Sequence, residues 1–129
     1  MTVAVDTNIV VRVLVNDDPR QAALARAVLS RDFSLLASVL LETEWVLRSS
    51  YQWPRARIGE AFATLIDLPT LREAPRGIAW AIDRFAAGAD FADMLHLACS
   101  GAADGFVTFD RRLAKAAGPH TPVKIDTLP

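Results

Sequence analysis

Thr2-Val3-Ala4-Val5-Asp6-Thr7-Asn8-Ile9-Val10 opens on a short apolar run, stops at an aspartate, and continues in a helical pattern to about Val15. Thr2 to Val5 reads as a buried strand, with Asp6 at the junction to the next element. The same grammar recurs down the chain. Phe33 to Ala37 reads as a strand, and Ser38 caps a helix reaching about Tyr51. Phe106-Val107-Thr108 reads as another strand, with Asp110 opening a short basic helix that ends at Gly118. Between these lie predicted helices from Arg20 to Leu29, Pro54 to about Asp67, Pro75 to Ala87 and Asp90 to Ala103. Strands are expected at Thr70 to Ala74 and Val123 to Ile125. Short strands alternating with helices predict an α/β fold: a three-layer α/β/α sandwich around a short-stranded parallel sheet. The 129 residues suit one domain spanning 1–129, with no repeat or linker inside it.

Composition narrows the function class. Hydrophobic residues make up 52% and charged residues 22%, which excludes a disordered or fibrous chain. The apolar start is interrupted by Asp6 and Arg12, so it fits neither a membrane span nor a secretory leader. A single cysteine, Cys99, leaves no internal disulfide and suits a reducing cytoplasm. Net charge is −1, so no global basic field advertises nucleic acid. Of the fourteen cations only Lys115 and Lys124 are lysine; arginine grips phosphate bidentately, although a GC-rich genome produces the same bias.

Asp6, Glu42, Asp93 and Asp110 sit in four separate segments, where apolar runs give way to new elements or within an apolar helix. Gathered in one pocket, such carboxylates would resist ionising unless a divalent cation neutralised them. Taken singly, Asp6 and Asp110 are explained as helix caps, and Asp90 and Asp93 as a cap and a first-turn acid. Glu42 is expected within the apolar arc of its helix, near Val39, Trp45 and Val46. Glu44 is expected on the solvent side, paired with Arg48 one turn on. His96, one turn from Asp93, is a general-base candidate with a packing role as its simpler explanation. Asp6 and Asp110 fall past strand carboxyl ends, the rim where parallel α/β sheets bind ligands. No Cys-x-x-Cys, Gly-rich phosphate loop or Gly-x-Ser-x-Gly elbow is present.

Four motifs in order carry a resemblance: Val-Asp-Thr-Asn-Ile-Val (5–10), Leu-Leu-Glu-Thr-Glu-Trp-Val-Leu-Arg (40–48), Asp-Phe-Ala-Asp-Met-Leu-His-Leu-Ala (90–98) and Val-Thr-Phe-Asp-Arg (107–111). Together they resemble the PIN domain, and within it a VapC-type toxin ribonuclease of a type II toxin–antitoxin system. The resemblance implies a Mg²⁺- or Mn²⁺-dependent endoribonuclease whose acidic centre falls on Asp6, Glu42, Asp93 and Asp110. Asp6 and Asp93 would be the principal metal ligands, with Glu42 and Asp110 completing the site or holding a second ion. Thr7, Asn8 and Thr108 match the supporting polar positions, and Asp90 could share the role of Asp93. Arg111, Arg112 and Lys115 are candidates to hold flanking RNA phosphates. The resemblance also implies a homodimer and a cognate antitoxin protein, with Trp45, Tyr51, Trp53, Phe62 and Trp80 as apolar contact candidates.

Two rivals belong to other classes. One is a different Mg²⁺-dependent phosphohydrolase, betrayed by activity on a small phosphoester but not on RNA. The other is a non-catalytic α/β interaction module whose acids are only caps.

Overall fold

A computed structural model describes residues 1–129, which fall into two compact units, Met1–Ala74 and Pro75–Pro129. In the first unit the elements run β1 (Val3–Ala4), α1 (Thr7–Val15), α2 (Pro19–Leu29), β2 (Phe33–Ser34), α3 (Ala37–Ser49), α4 (Arg55–Ile66) and β3 (Leu71–Glu73). The strands pair in the order β1-β2-β3, all parallel, with Val3 opposite Phe33 and Phe33 opposite Leu71. Each parallel step is bridged by two helices, the long crossover that parallel pairing demands. Phe33, Leu40, Leu47, Ile58 and Phe62 are wholly buried and form the centre of this unit.

The second unit runs α5 (Ile78–Ala86), α6 (Phe91–Ala98), β4 (Phe106–Thr108), α7 (Leu113–Ala117) and β5 (Ile125–Thr127). Strands β4 and β5 pair in parallel, with Phe106 opposite Ile125 and Thr108 opposite Thr127. Helices α5 and α6 pack closely. Gly77 supplies a left-handed turn (φ 80°) at the start of α5, where an added Cβ would stand 3.5 Å from the Ala98 Cβ. At the other end Phe85 and Phe91 meet edge to face, centroids 5.3 Å apart. The α/β class with short parallel strands is therefore as expected.

Several element bounds differ from expectation, each for a local reason. Strand β1 keeps only Val3–Ala4 of the expected run and β2 only Phe33–Ser34; β3 is Leu71–Glu73. Helix α3 starts at Ala37 rather than after a Ser38 cap, because the Leu36 carbonyl accepts the first helical N–H groups, from Val39 and Leu40. Helix α5 starts at Ile78, not Pro75, because the left-handed Gly77 interrupts the helical backbone. Helix α6 ends at Ala98 rather than Ala103, because the Ser100 hydroxyl and N–H take the His96 and Leu97 carbonyls and tighten the last turn. The last strand shifts from Val123–Ile125 to Ile125–Thr127, where Ile125 meets Phe106. Two apolar contact candidates are core instead: Phe62 and Trp53 are buried, the latter with the Arg57 guanidinium 3.8 Å above its ring. Trp45 is on the surface, while Tyr51 and Trp80 are half-buried.

Candidate metal and phosphate site

Asp6 leaves β1 at its carboxyl end and caps α1, its Oδ1 accepting the Thr7 N–H at 2.8 Å. Helix α3, which carries Glu42, leaves β2 at its own carboxyl end. Since β1 and β2 are parallel neighbours, both acids belong to the same edge of that sheet. The Thr7 side chain is buried, and its Oγ1 has no hydrogen-bond partner. An orphaned hydroxyl beside an exposed carboxylate is expensive unless a ligand or its water shell uses it. Asn8 is exposed.

Helix α3 overturns the expected placing of its two glutamates. Its buried face is Val39, Leu40, Thr43, Glu44 and Leu47, centred on Thr43, whose hydroxyl donates to the Val39 carbonyl at 2.7 Å. Glu42 and Glu44 flank that centre at about 100° on either side. Glu44 is the buried one, with the expected pair to Arg48 at 2.8 Å, and Glu42 is exposed. The apolar arc misled because two of its members do not face the core: Trp45 is 57% exposed and Val46 only half-buried. No hydrogen bond or ion pair engages the Glu42 carboxylate.

In the second unit Asp90 caps α6, its Oδ2 accepting the Asp93 N–H at 3.0 Å. Asp93 lies half-buried in the first turn. Burial pushes its carboxyl above the usual aspartate range, and the negative charges of Asp90 and then Asp110 add to the effect. His96 opposes it. Asp110 sits two residues beyond β4, outside α7. It is not the cap of that helix, as expected, but closes a turn: its Oδ1 accepts the Arg112 N–H, and its own N–H donates to Thr108 Oγ1, both at 2.9 Å. Asp93 thus feels the charges of Asp90 and Asp110, and none of the three has a cationic side chain bonded to it.

Capping and ligation need not compete here. Asp6, Asp90 and Asp110 each engage one carboxylate oxygen with a backbone N–H and keep the other free. That fixes the side chain while leaving a lone-pair face exposed. As the side chains stand, no group of three or more His, Cys, Asp or Glu residues is close enough to hold an ion. By donor chemistry each group fits a hard divalent cation: in the first unit exposed carboxylates with the unsatisfied Thr7 hydroxyl next to Asp6, and in the second all-oxygen acids of which Asp93 is raised by burial and by its neighbours' charge.

Arg111, Arg112 and Lys115 are exposed around the turn that Asp110 closes. Arg112 and Lys115, but not Arg111, line a depression of about 510 Å³ together with Arg84, which no sequence motif marks. The first unit has an apolar depression of about 360 Å³ lined by Ile9, Leu24 and Val28 among others.

Among known protein families, residues 3–119 match the one described as PIN domain. No curated protein matches the chain.

Proposed function

Because this chain belongs to the PIN domain family, whose members are generally metal-dependent nucleases, we propose that it is an endoribonuclease hydrolysing RNA phosphodiester bonds with Mg²⁺ or Mn²⁺. The observation that carries this reading is the second-unit acidic group. Asp93, in the first turn of α6, is pushed up by burial and by Asp90 and Asp110, with no bonded cation to relieve it, and Asp110 follows the carboxyl end of the parallel strand β4. Asp6, Glu42, Asp93 and Asp110 are the residues that would hold the metal, with Asp6 and Asp93 the principal ligands. A bound divalent ion supplies a water of lowered pKa and neutralises charge on the phosphate. Asp6 and Asp110 each keep one carboxylate oxygen free for such an ion, their other oxygens being held by the Thr7 and Arg112 N–H groups. Thr7 and Thr108 brace the first and last acids, and Asp90 holds the α6 turn that presents Asp93.

The finer reading is a VapC-like toxin acting in the cytoplasm as a homodimer and silenced by an antitoxin. Its support is the four-motif resemblance and the exposed apolar side chains of Leu24, Leu36 and Trp45. No helix is long and apolar enough to cross a membrane. A basic antitoxin residue meeting the carboxylates would complete the electrostatics.

The test is cleavage of a mixed RNA pool with Mn²⁺ or Mg²⁺, chelator as control and product ends mapped. Metal-dependent cleavage that disappears in Asp6→Asn supports the assignment; full activity in that variant rejects it. The caps that Asp6 and Asp90 do form favour the non-catalytic module as second reading. Calorimetry showing no binding of either metal would select it.

A further inference from the structure

We infer that the depression between α5 and the Arg112–Ala116 segment is a phosphate subsite, holding one backbone phosphate of the RNA strand beside the scissile bond. This rests on the ribonuclease reading. The depression is lined by three cations, Arg84, Arg112 and Lys115, with small residues such as Gly88 and Ala89 between them and no acid among the lining residues. Three like charges around one concavity repel each other, and an anion relieves that repulsion.

Arg84 is preset for the task. Its Nε and Nη2 donate to the Ala116 carbonyl at 2.9 and 2.7 Å, which leaves Nη1 unbonded. Gly118, at φ 77°, lies against the same guanidinium: a Cβ there would stand 3.3 Å from Arg84 Cζ and 3.4 Å from Nη1. A guanidinium already anchored loses little freedom when it takes a phosphate oxygen. Three other arginines are held by side chains of their own surroundings. Arg12 is bonded to Asp17 and Gln21, Arg48 to Glu44 and Arg72 to Asp32. Arg112 and Lys115 make no side-chain bond, and the Arg112 backbone N–H is held by Asp110. The cleft is therefore tied to a proposed metal ligand through two residues of chain. Phosphate spacing along a nucleic-acid strand suits an anion site that close to the cut. A lone metabolite phosphate would gain nothing from that link, which is why an RNA phosphate is the occupant chosen.

The experiment measures binding of a labelled single-stranded RNA to the full chain by fluorescence anisotropy, in EDTA so that nothing is cut, across a salt series. Arg112→Gln and Lys115→Gln should each lower affinity about 5-fold at about 0.1 M salt and flatten the salt slope by about 0.7, one phosphate contact's worth. Arg20→Gln, an exposed arginine of α2 outside the cleft, should change neither. Arg84→Lys keeps the charge but not the fork; it should weaken binding while circular dichroism shows the fold retained. Equal losses from Arg20→Gln would overturn the subsite in favour of diffuse charge. So would wild-type affinity in the cleft variants, or no RNA binding by the native chain. Inorganic phosphate that binds the cleft with no cleft-dependent RNA binding would also overturn it. Cleavage separates this from the parent reading. If Arg112→Gln and Lys115→Gln bind RNA and cut it normally while Asp93→Asn is inactive, only the subsite fails. If the native chain cuts no RNA with Mn²⁺ yet binds it through the cleft, only the nuclease reading fails.

Discussion

Glu44 and Arg48 form an ion pair at 2.8 Å in which the carboxylate is 6% exposed and the guanidinium 56%. The pair makes Glu44 a structural acid and leaves Glu42, two residues earlier and exposed, as the glutamate open to a ligand. Arg48→Ala should cost about 3 kcal/mol, because it strands a buried charge. Glu42→Gln should shift stability by less than about 0.5 kcal/mol, having no partner to lose. Metal-dependent cleavage should respond in the opposite order, with Glu42→Gln losing about 100-fold or more. Denaturant melts beside single-turnover cleavage check both halves; a Glu42→Gln enzyme of native activity would hand the role to Glu44 or to neither.

Asp6 both caps α1 and is proposed to bind metal, and two substitutions separate the roles. Asparagine caps as well as aspartate, so Asp6→Asn should melt within about 0.5 kcal/mol of the native chain. Asp6→Ala should lose about 1 kcal/mol with the cap. Both should be equally inactive in cleavage. Activity tracking the stability order instead would make Asp6 only a cap.

The residues that could be read correctly from sequence are those whose signal is local. Asp6 and Asp110 stand just past strands because an apolar β-branched run followed by an acid is itself a boundary signal, and β1 and β4 obey it. Helix α1 matched from Thr7 to Val15 for the same reason. The face of α3 was not legible. Trp45 carries the apolar signature of a core face while lying on the surface, Val46 is only half-buried, and surface apolar side chains are common enough to rotate an inferred arc. Nor was Arg84 visible, since its place beside Arg112 and Lys115 comes from packing of α5, not from any spacing in the chain.

Asp93 gives a pH signature with a defined sign. Its folded carboxyl titrates above the ordinary aspartate value, so the native state holds a proton that the unfolded chain has released. Stability should therefore fall as pH rises from the ordinary aspartate value through the raised one. Asp93→Asn, which cannot ionise, should be more stable than the native chain near pH 7, and the gap should close towards about pH 3. Urea melts in EDTA measure this. Saturating Mn²⁺ should erase the difference by stabilising the native chain, by about 2.7 kcal/mol at a hundred times Kd. A gap independent of pH would mean that the Asp93 carboxyl is raised neither by burial nor by its neighbours' charge.

Thr7 offers the sharpest separation of fold from function. Its hydroxyl is buried beside Asp6 and bonded to nothing, a cost of about 1–3 kcal/mol if nothing else satisfies it. Thr7→Val keeps the shape and removes the unsatisfied group, so the free protein should be as stable as the native chain or more so, by up to about 1 kcal/mol. The same change removes an oxygen from beside the proposed ligand Asp6. Mn²⁺ should then raise the melting temperature of Thr7→Val less than that of the native chain, and cleavage should drop. Thr7→Ser, which restores the hydroxyl but leaves a methyl-sized gap, should recover the metal response while losing stability. Should Thr7→Val be destabilised and yet respond normally to Mn²⁺, the hydroxyl serves the fold through an ordered water and has no part in the site.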